Sequence, residues 1–378
     1  MTYAKTDILI IGGGLAGLTA ALHLQKAGFE VILIEKNGYP QHKVCGEYIS
    51  NEVLPYLKWL EADPRVLGAT AIDRLQFSTL SGNCIHTELP LGGFGISRYS
   101  LDNFLYEKFR RRGGTLFHDT VNAVNYKDEE FTIHTLAELQ ITARQVIGAY
   151  GKRSVIDLKL KRNFIQQKSP VLAVKAHYSG DFPADLVGLH NFRGGYCGVS
   201  KVEDRKINIC YLADYRSFKA YKNVSVYQQE VLYKNKYLKA IFENTAPLFD
   251  APITVSQLAF GPRETVADHI LMVGDTAGLI HPLCGNGMSM AIHSAKICAE
   301  LLIDYFTGSI KTRALLEKLY MSSWDRQFRL RLRMGNVLSA ILERDRLSDL
   351  VLGGMVRIPA LLPMIIKKTH GTILTVNS

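Results

Sequence analysis

Residues 7–35 read DILIIGGGLAGLTAALHLQKAGFEVILIE, and the rest of the chain is organised around them. Residues 7–11 are a short, apolar, β-branched-rich run, as expected of a strand buried on both faces. Gly12-Gly13-Gly14-Leu15-Ala16-Gly17 follows, a GxGxxG. Leu18, Ala21, Leu22 and Leu24 then recur at helical spacing until Gly28, and residues 30–34 form a second strand ending at Glu35. The whole is a β-α-β unit, and each glycine has a task. Gly12 permits the tight turn, Gly14 lets a pyrophosphate approach the backbone, and Gly17 lets helix and strand pack closely. The helix start offers free N–H groups and a partial positive charge to phosphates. Glu35, 21 residues after Gly14, can accept hydrogen bonds from an adenosine ribose. The stretch predicts dinucleotide binding without separating NAD from FAD.

A second glycine cluster lies 260 residues later, ILMVGDTAGLIHPLCGNGMSM at 270–290. Residues 270–273 read as a short strand. Gly285-Asn286-Gly287-Met288 opens a long helix running to about residue 306, and its N–H groups suit the electron-rich N1–C2=O edge of a reduced flavin. Asp275 can bind a ribitol or phosphate-side hydroxyl, and Pro282 can cover one ring face. NAD has no need of a second anchor; FAD does.

The chain has 378 residues, 47% of them hydrophobic and 21% charged, which suits two to three units of core and excludes a disordered or fibrous chain. Six cysteines form no CxxC pair, so neither a zinc ribbon nor a thioredoxin-type motif is expected, and no metal. The first apolar run is too short for a signal peptide or a membrane span, which predicts a cytoplasmic protein. Net charge is +10, and residues 311–378 hold 12 Lys/Arg against 5 Asp/Glu. Without a nucleic-acid motif this surplus does not predict nucleic-acid binding. It leaves open a solvated helical face or peripheral contact with an anionic membrane.

GGGLAG with Glu35, ISRYSLDNFL (96–105) and VGDTAGLIHPLCGNGMSMAIHSA (273–295) resemble the FAD-dependent hydroxylase superfamily with the p-hydroxybenzoate-hydroxylase-like fold. Within it, PQHKVCGEYIS (40–50) is most similar to the geranylgeranyl reductase group, where a Cys-Gly pair follows the first β-α-β unit. The resemblance implies FAD as cofactor. It places Leu15 and Ala16 at the pyrophosphate, Glu35 and Lys36 at the ribose, and Val121 at the adenine. Arg98 falls near the phosphates, with Asp102 holding its loop. Cys45, Gly46 and Tyr48 fall near the flavin, as do Gly287 and Met288. Catalysis by Cys45 and a proton relay through His281 stand open beside plain packing roles. The superfamily's GADG is here Gly148-Ala149-Tyr150-Gly151. Tyr150 replaces an aspartate that helps place FAD and transient NADPH, which leaves NADPH as electron donor open. Residues 195–200 (GYCGVS) lack the Trp and Pro of the prenyl reductases' substrate stretch, so the prenyl substrate is not carried over. No WxWxIP occurs, against a tryptophan-type halogenase.

The expected fold is therefore α/β: a Rossmann-like FAD-binding domain with an inserted antiparallel-sheet substrate domain and a C-terminal helical region. The boundaries are 1–71, 96–159 and 256–310 for FAD, 72–95 and 160–255 for substrate, and 311–378 for the helical tail. A hairpin at 72–92, strands at 170–178, 186–192, 195–202 and 206–212, and helix over 214–243 make the substrate domain. Tyr196 and Pro282 are candidates for its pocket. Residues 350–368, apolar but broken by Gly353-Gly354, Pro359 and Pro363, either cap that domain or lie in a membrane interface with Arg357, Lys367 and Lys368 snorkelling. The expected function is an FAD-dependent oxidoreductase, a monooxygenase or reductase of a lipophilic or aromatic small molecule. The alternatives are a prenyl-type C=C reductase and, from another class, a non-catalytic flavin-binding partner module.

Overall fold

The computed structural model describes residues 2–166, 170–256, 258–342, 351, 362, 366 and 370–376. Among them an eight-stranded sheet runs β17 (Val266–Ala267), β18 (Ile270–Met272), β9 (Leu139–Gly148), β1 (Thr2–Ile11), β2 (Val31–Glu35) and β6 (Thr115–His118). The strands β7 (Val121–Lys127) and β8 (Glu130–Thr135) extend it from β9. β1 pairs in parallel with both β2 and β9, and β18 continues in parallel beside β9. Ile8, Leu9 and Ile10 are fully buried, which is why these strands are continuous apolar runs. α1 (Leu15–Lys26) and α3 (Gly287–Phe306) pack together against this sheet, and α2 (Arg98–Arg111) lies beside α1.

The second sheet has nine strands. Its order is β14 (Thr245–Pro247), β10 (Val171–Gly180), β13 (Ile207–Asp214), β12 (Gly195–Lys201), β11 (Leu186–Phe192), β4 (Thr70–Ser78), β5 (Cys84–Gly95) and β3 (Tyr48–Ser50), with β15 (Ile253–Ser256) on β10. Every pairing is antiparallel except β11 with β4, which is parallel. The expected division put residues 1–71 with the FAD-binding part. Here β3 and the start of β4 belong to the second sheet, because both complete the ladder of β5.

Side chains of this sheet alternate between two cores. Tyr211 and Cys197 face short helices at Tyr215–Tyr221, Val224–Glu230 and Lys236–Glu243. Their neighbours Leu212 and Tyr196 face the other way, toward the first sheet. The tail begins as α4 (Arg313–Leu342), anchored by Trp324 and Phe328, with Arg326, Arg329 and Arg333 exposed on its outer face. The expectation for 350–368 falls outside the described residues apart from three. Val351, Leu362 and Ile366 line a cavity, the position of a cap. No helix among the described residues is long and apolar enough to cross a membrane.

Candidate active site

Three parallel strands end side by side: Ile11 pairs with Gly148, and Gly148 with Met272. Their C-terminal loops, 12–14, 149–154 and 273–276, therefore open at one edge, the switch-point crevice where open α/β sheets bind ligands. A groove of about 610 Å³ follows it. Gly12, Gly14, Leu15, Ala16, Glu35, Lys36 and Val121 line one end. Cys45, Gly46, Tyr48, Pro282, Gly285, Gly287 and Met288 line the other, and Arg98 and Asp275 also face the groove. The N-caps of α1 and α3 are Gly14 and Asn286, and neither makes a side-chain capping bond, so both helix starts keep their N–H groups for a ligand.

Local contacts fix the phosphate end. Glu35 accepts hydrogen bonds from Gly13 N at 2.8 Å and from Asn37 N and Nδ2, both at 3.0 Å, so it also braces the glycine turn. Arg98 Nε and Nη2 each donate to Asp102 at 2.7 Å, and Lys43 Nζ joins at 3.5 Å. A Cβ on Gly14 would stand only 3.7 Å from Arg98 Nη2 and 3.9 Å from Lys43 Nζ, so two cations flank the turn. Lys43 went unread in the sequence, although it stands two residues before the Cys-Gly pair.

Three expected residues sit off the groove. Gly17 lies beneath it, where a side chain would overlap Gly12 O, so it serves packing alone. Asn286 is buried at the start of α3 and reaches the Glu52 carboxylate. His281 lines neither cavity. It packs on Phe260 and Tyr196 with ring centroids 4.7 and 5.7 Å away, and burial pushes its pKa down to about 4. At neutral pH the ring is therefore held neutral, packed between the two aromatic rings. Tyr150 lines the groove and contacts Met272 Sδ through its hydroxyl at 3.5 Å; burial keeps it neutral.

A second cavity of about 190 Å³ lies between the groove and the inner face of the second sheet. Leu75, Phe77, Val187, Leu189, Tyr196 and Leu212 form much of its wall. Cys45, Gly46, Tyr48, Pro282 and Gly285 line both spaces and mark where they meet. Behind Cys45 lies a polar cluster that sequence reasoning missed. Glu47 lines the groove and is 0% exposed, with positive φ. Its carboxylate accepts from Lys175 Nζ at 2.5 Å, His177 Nε2 at 2.7 Å and Arg98 N at 2.8 Å. Burial alone would raise its pKa; the His177 hydrogen bond and the Lys175 charge outweigh it and hold Glu47 below the usual range.

A family model described as an FAD binding domain matches residues 5–319. The chain belongs to this family. It is an FAD-dependent oxidoreductase, and the groove's two open helix starts and flanking cations suit that cofactor. A digeranylgeranylglycerophospholipid reductase of Methanosarcina mazei is 24% identical over 346 residues, 85% of this chain and 80% of that protein. Among solved structures, the flavin-dependent brominase Bmp2 superposes with a TM-score of 0.79 at 17% identity, covering 98% of this chain and 95% of that one. A geranylgeranyl bacteriochlorophyll reductase-like protein of Thermoplasma acidophilum gives 0.74 at 18% identity, covering 99% and 94%. At these identities the two structures establish the fold of this flavoprotein family member alone.

Proposed function

We propose that this flavoprotein reduces a carbon–carbon double bond in a lipophilic small molecule held in the second cavity. The observation that carries the reading is the meeting of an apolar chamber with the nucleotide groove at Cys45, Gly46, Tyr48, Pro282 and Gly285. Bound FAD, once reduced, would supply hydride equivalents there. The chain's own part is to hold the cofactor at Gly12, Gly14, Glu35, Arg98, Asp275 and the start of α3, and to position the substrate in a space from which apolar walls exclude water. Reductase relatives aligned over most of their length favour C=C reduction. Tyr196 and Gly198 on the wall, where the prenyl reductases' Trp and Pro are missing, favour a substrate other than a plain prenyl chain. Oxygen insertion into a molecule of the same class is the second reading, because the same placement would serve it.

The test is anaerobic. Protein reduced with stoichiometric dithionite is mixed with unsaturated lipophilic compounds. Return of flavin absorbance near ~450 nm with a product gaining two hydrogens supports reduction. Return only on admitting O2, with a product gaining one oxygen atom, makes it a monooxygenase. The exposed basic face of α4 further supports peripheral contact with an anionic membrane, from which a lipophilic substrate would be drawn.

A further inference from the structure

The second cavity is apolar, yet one ammonium group stands in its wall. Lys152 lines both that cavity and the nucleotide groove, and the described residues of the cavity wall include no other Lys or Arg and no Asp or Glu. Its Nζ donates to Val44 O at a long 3.4 Å, and it forms no ion pair with a described carboxylate. Two other lysines near the groove have such partners: Lys43 has Asp102, and Lys175 has Glu47.

The position of Lys152 is built. Its carbonyl accepts from Arg263 Nη1 at 2.9 Å, and the same nitrogen donates to Asp275 O at 3.0 Å. Arg263 Nη2 reaches Ala259 O at 3.2 Å, and its guanidinium lies 3.7 Å from the centre of the Phe164 ring. Next in the chain, Gly151 N donates to Thr276 Oγ1 at 2.8 Å. The loop after β9 is thus fastened to the loop after β18, and Lys152 is carried to the junction of the two spaces.

The glycine turn, where the phosphates of FAD would lie, has cations of its own, Lys43 and Arg98 beside Gly14. Lys152 instead stands with Cys45, Tyr48, Pro282 and Gly285, where substrate and cofactor meet. A ligand filling the groove takes away the water that Lys152 meets on that side. A cation so desolvated is unfavourable unless something brings it an acceptor, and a charge-assisted hydrogen bond to an anionic oxygen is the strongest available.

We propose that Lys152 anchors an anionic oxygen of the substrate, so that the molecule taken is a lipophilic acid: an apolar chain or ring system bearing a carboxylate that lies at the junction while the apolar part fills the chamber. This rests on reading the second cavity as the substrate site.

The experiment titrates full-length, FAD-loaded protein with dodecanoate and, separately, with dodecanol, following the change in the flavin absorption band. The same titrations are run on Lys152→Met and Lys152→Arg, and flavin content is measured after desalting. The wild type should bind dodecanoate at least ~10-fold more tightly than dodecanol. Lys152→Met should erase that preference while keeping both its flavin and its affinity for dodecanol, and Lys152→Arg should retain it. Equal binding of acid and alcohol by the wild type overturns the proposal, as does a preference that survives in Lys152→Met. Loss of flavin from Lys152→Met overturns it too, by giving the ammonium to the cofactor. If neither amphiphile binds, the reading of the cavity as a substrate site falls along with it.

Discussion

Three groups from two other parts of the chain bond Glu47. Lys175 and His177 come from alternate positions of β10, Arg98 from the start of α2, and Glu47 itself holds a left-handed backbone between the Cys-Gly pair and β3. Removing the charge in Glu47→Gln leaves the Lys175 ammonium fully buried without its counter-ion. Breaking such a pair costs roughly 3–5 kcal/mol. Urea unfolding should show that loss, and a change below ~1 kcal/mol would mean that Lys175 finds another acceptor. The cluster could not be read from the sequence. Lys175 and His177 lie 128 and 130 residues from Glu47, inside a run that otherwise reads as apolar strand. Asp275, by contrast, stood out beside Gly274 at the end of a short strand, a few residues before the Gly285-Asn286-Gly287 helix start. Asp275→Ala should lower flavin retention on desalting by ~10-fold or more while leaving the fold intact. Full retention would remove Asp275 from the cofactor's grip.

At the scale of elements, the first turn of α1 shows how one atom positions a helix. A side chain on Gly17 would overlap Gly12 O, and one on Gly13 would overlap the Tyr39 hydroxyl. Gly17→Val should therefore push α1 off β1, lowering the melting temperature and releasing flavin together. Release of flavin at an unchanged melting temperature would give Gly17 a role at the ligand instead. This unit is local, within 29 residues of chain, and so it was legible apart from the start of β1, which lies at Thr2 rather than at residue 7. Elements assembled from distant pieces were not. The parallel contact of β4 with β11 joins residues more than a hundred apart, and periodicity says nothing about which strand lies next to which. The hairpin of β7 and β8 turns at Asp128 and Glu129, both at positive φ, where a glycine or asparagine would have announced the turn. The outer face of α4 carries its own prediction. Lys318, Arg326, Arg329 and Arg333 are exposed beside exposed Leu330 and Val337. Co-sedimentation with anionic vesicles should occur at ~50 mM salt and vanish by ~500 mM, as the Debye length shrinks; no binding at the lower salt reduces this face to a solvated one.

For the molecule as a whole, acid is the predicted weak point, because neutral histidines are built into both of its halves. His23 lies in α1 with Nδ1 2.8 Å from the Tyr56 hydroxyl, and His293 lies in α3 against Phe328. His190 pairs with Ser78 Oγ at 2.8 Å in the second sheet, and His281 sits where the halves meet. Burial depresses all four, to about 4 for His23 and His281 and about 3 for His190 and His293. The ordinary value of 6.5 applies once the chain unfolds. Below pH 6.5 the unfolded chain therefore binds protons that the native protein refuses. The stabilisation is complete above 6.5 and drains away as pH falls toward 4 and then 3. Each group contributes at most about 1.4 kcal/mol per pH unit inside its window, or roughly 5 kcal/mol per unit for the four together near pH 5. Glu47 acts in the same sense at lower pH, since its carboxylate is stabilised in the native state. Glu52 acts in the opposite sense, its carboxyl raised by burial against the Arg331 charge. Total stabilities are only about 5–15 kcal/mol, so the histidines should dominate and the holoenzyme should unfold between pH ~6 and ~4.5. Calorimetry across that range should show the melting temperature falling steeply. A flat profile from pH 7 to 5 would mean that these rings take up protons without opening the structure. His42, also depressed to about 4, and His370, lowered too, add to the same slope, so His190→Asn should lessen it near pH 5 by at most about 1.4 kcal/mol per pH unit.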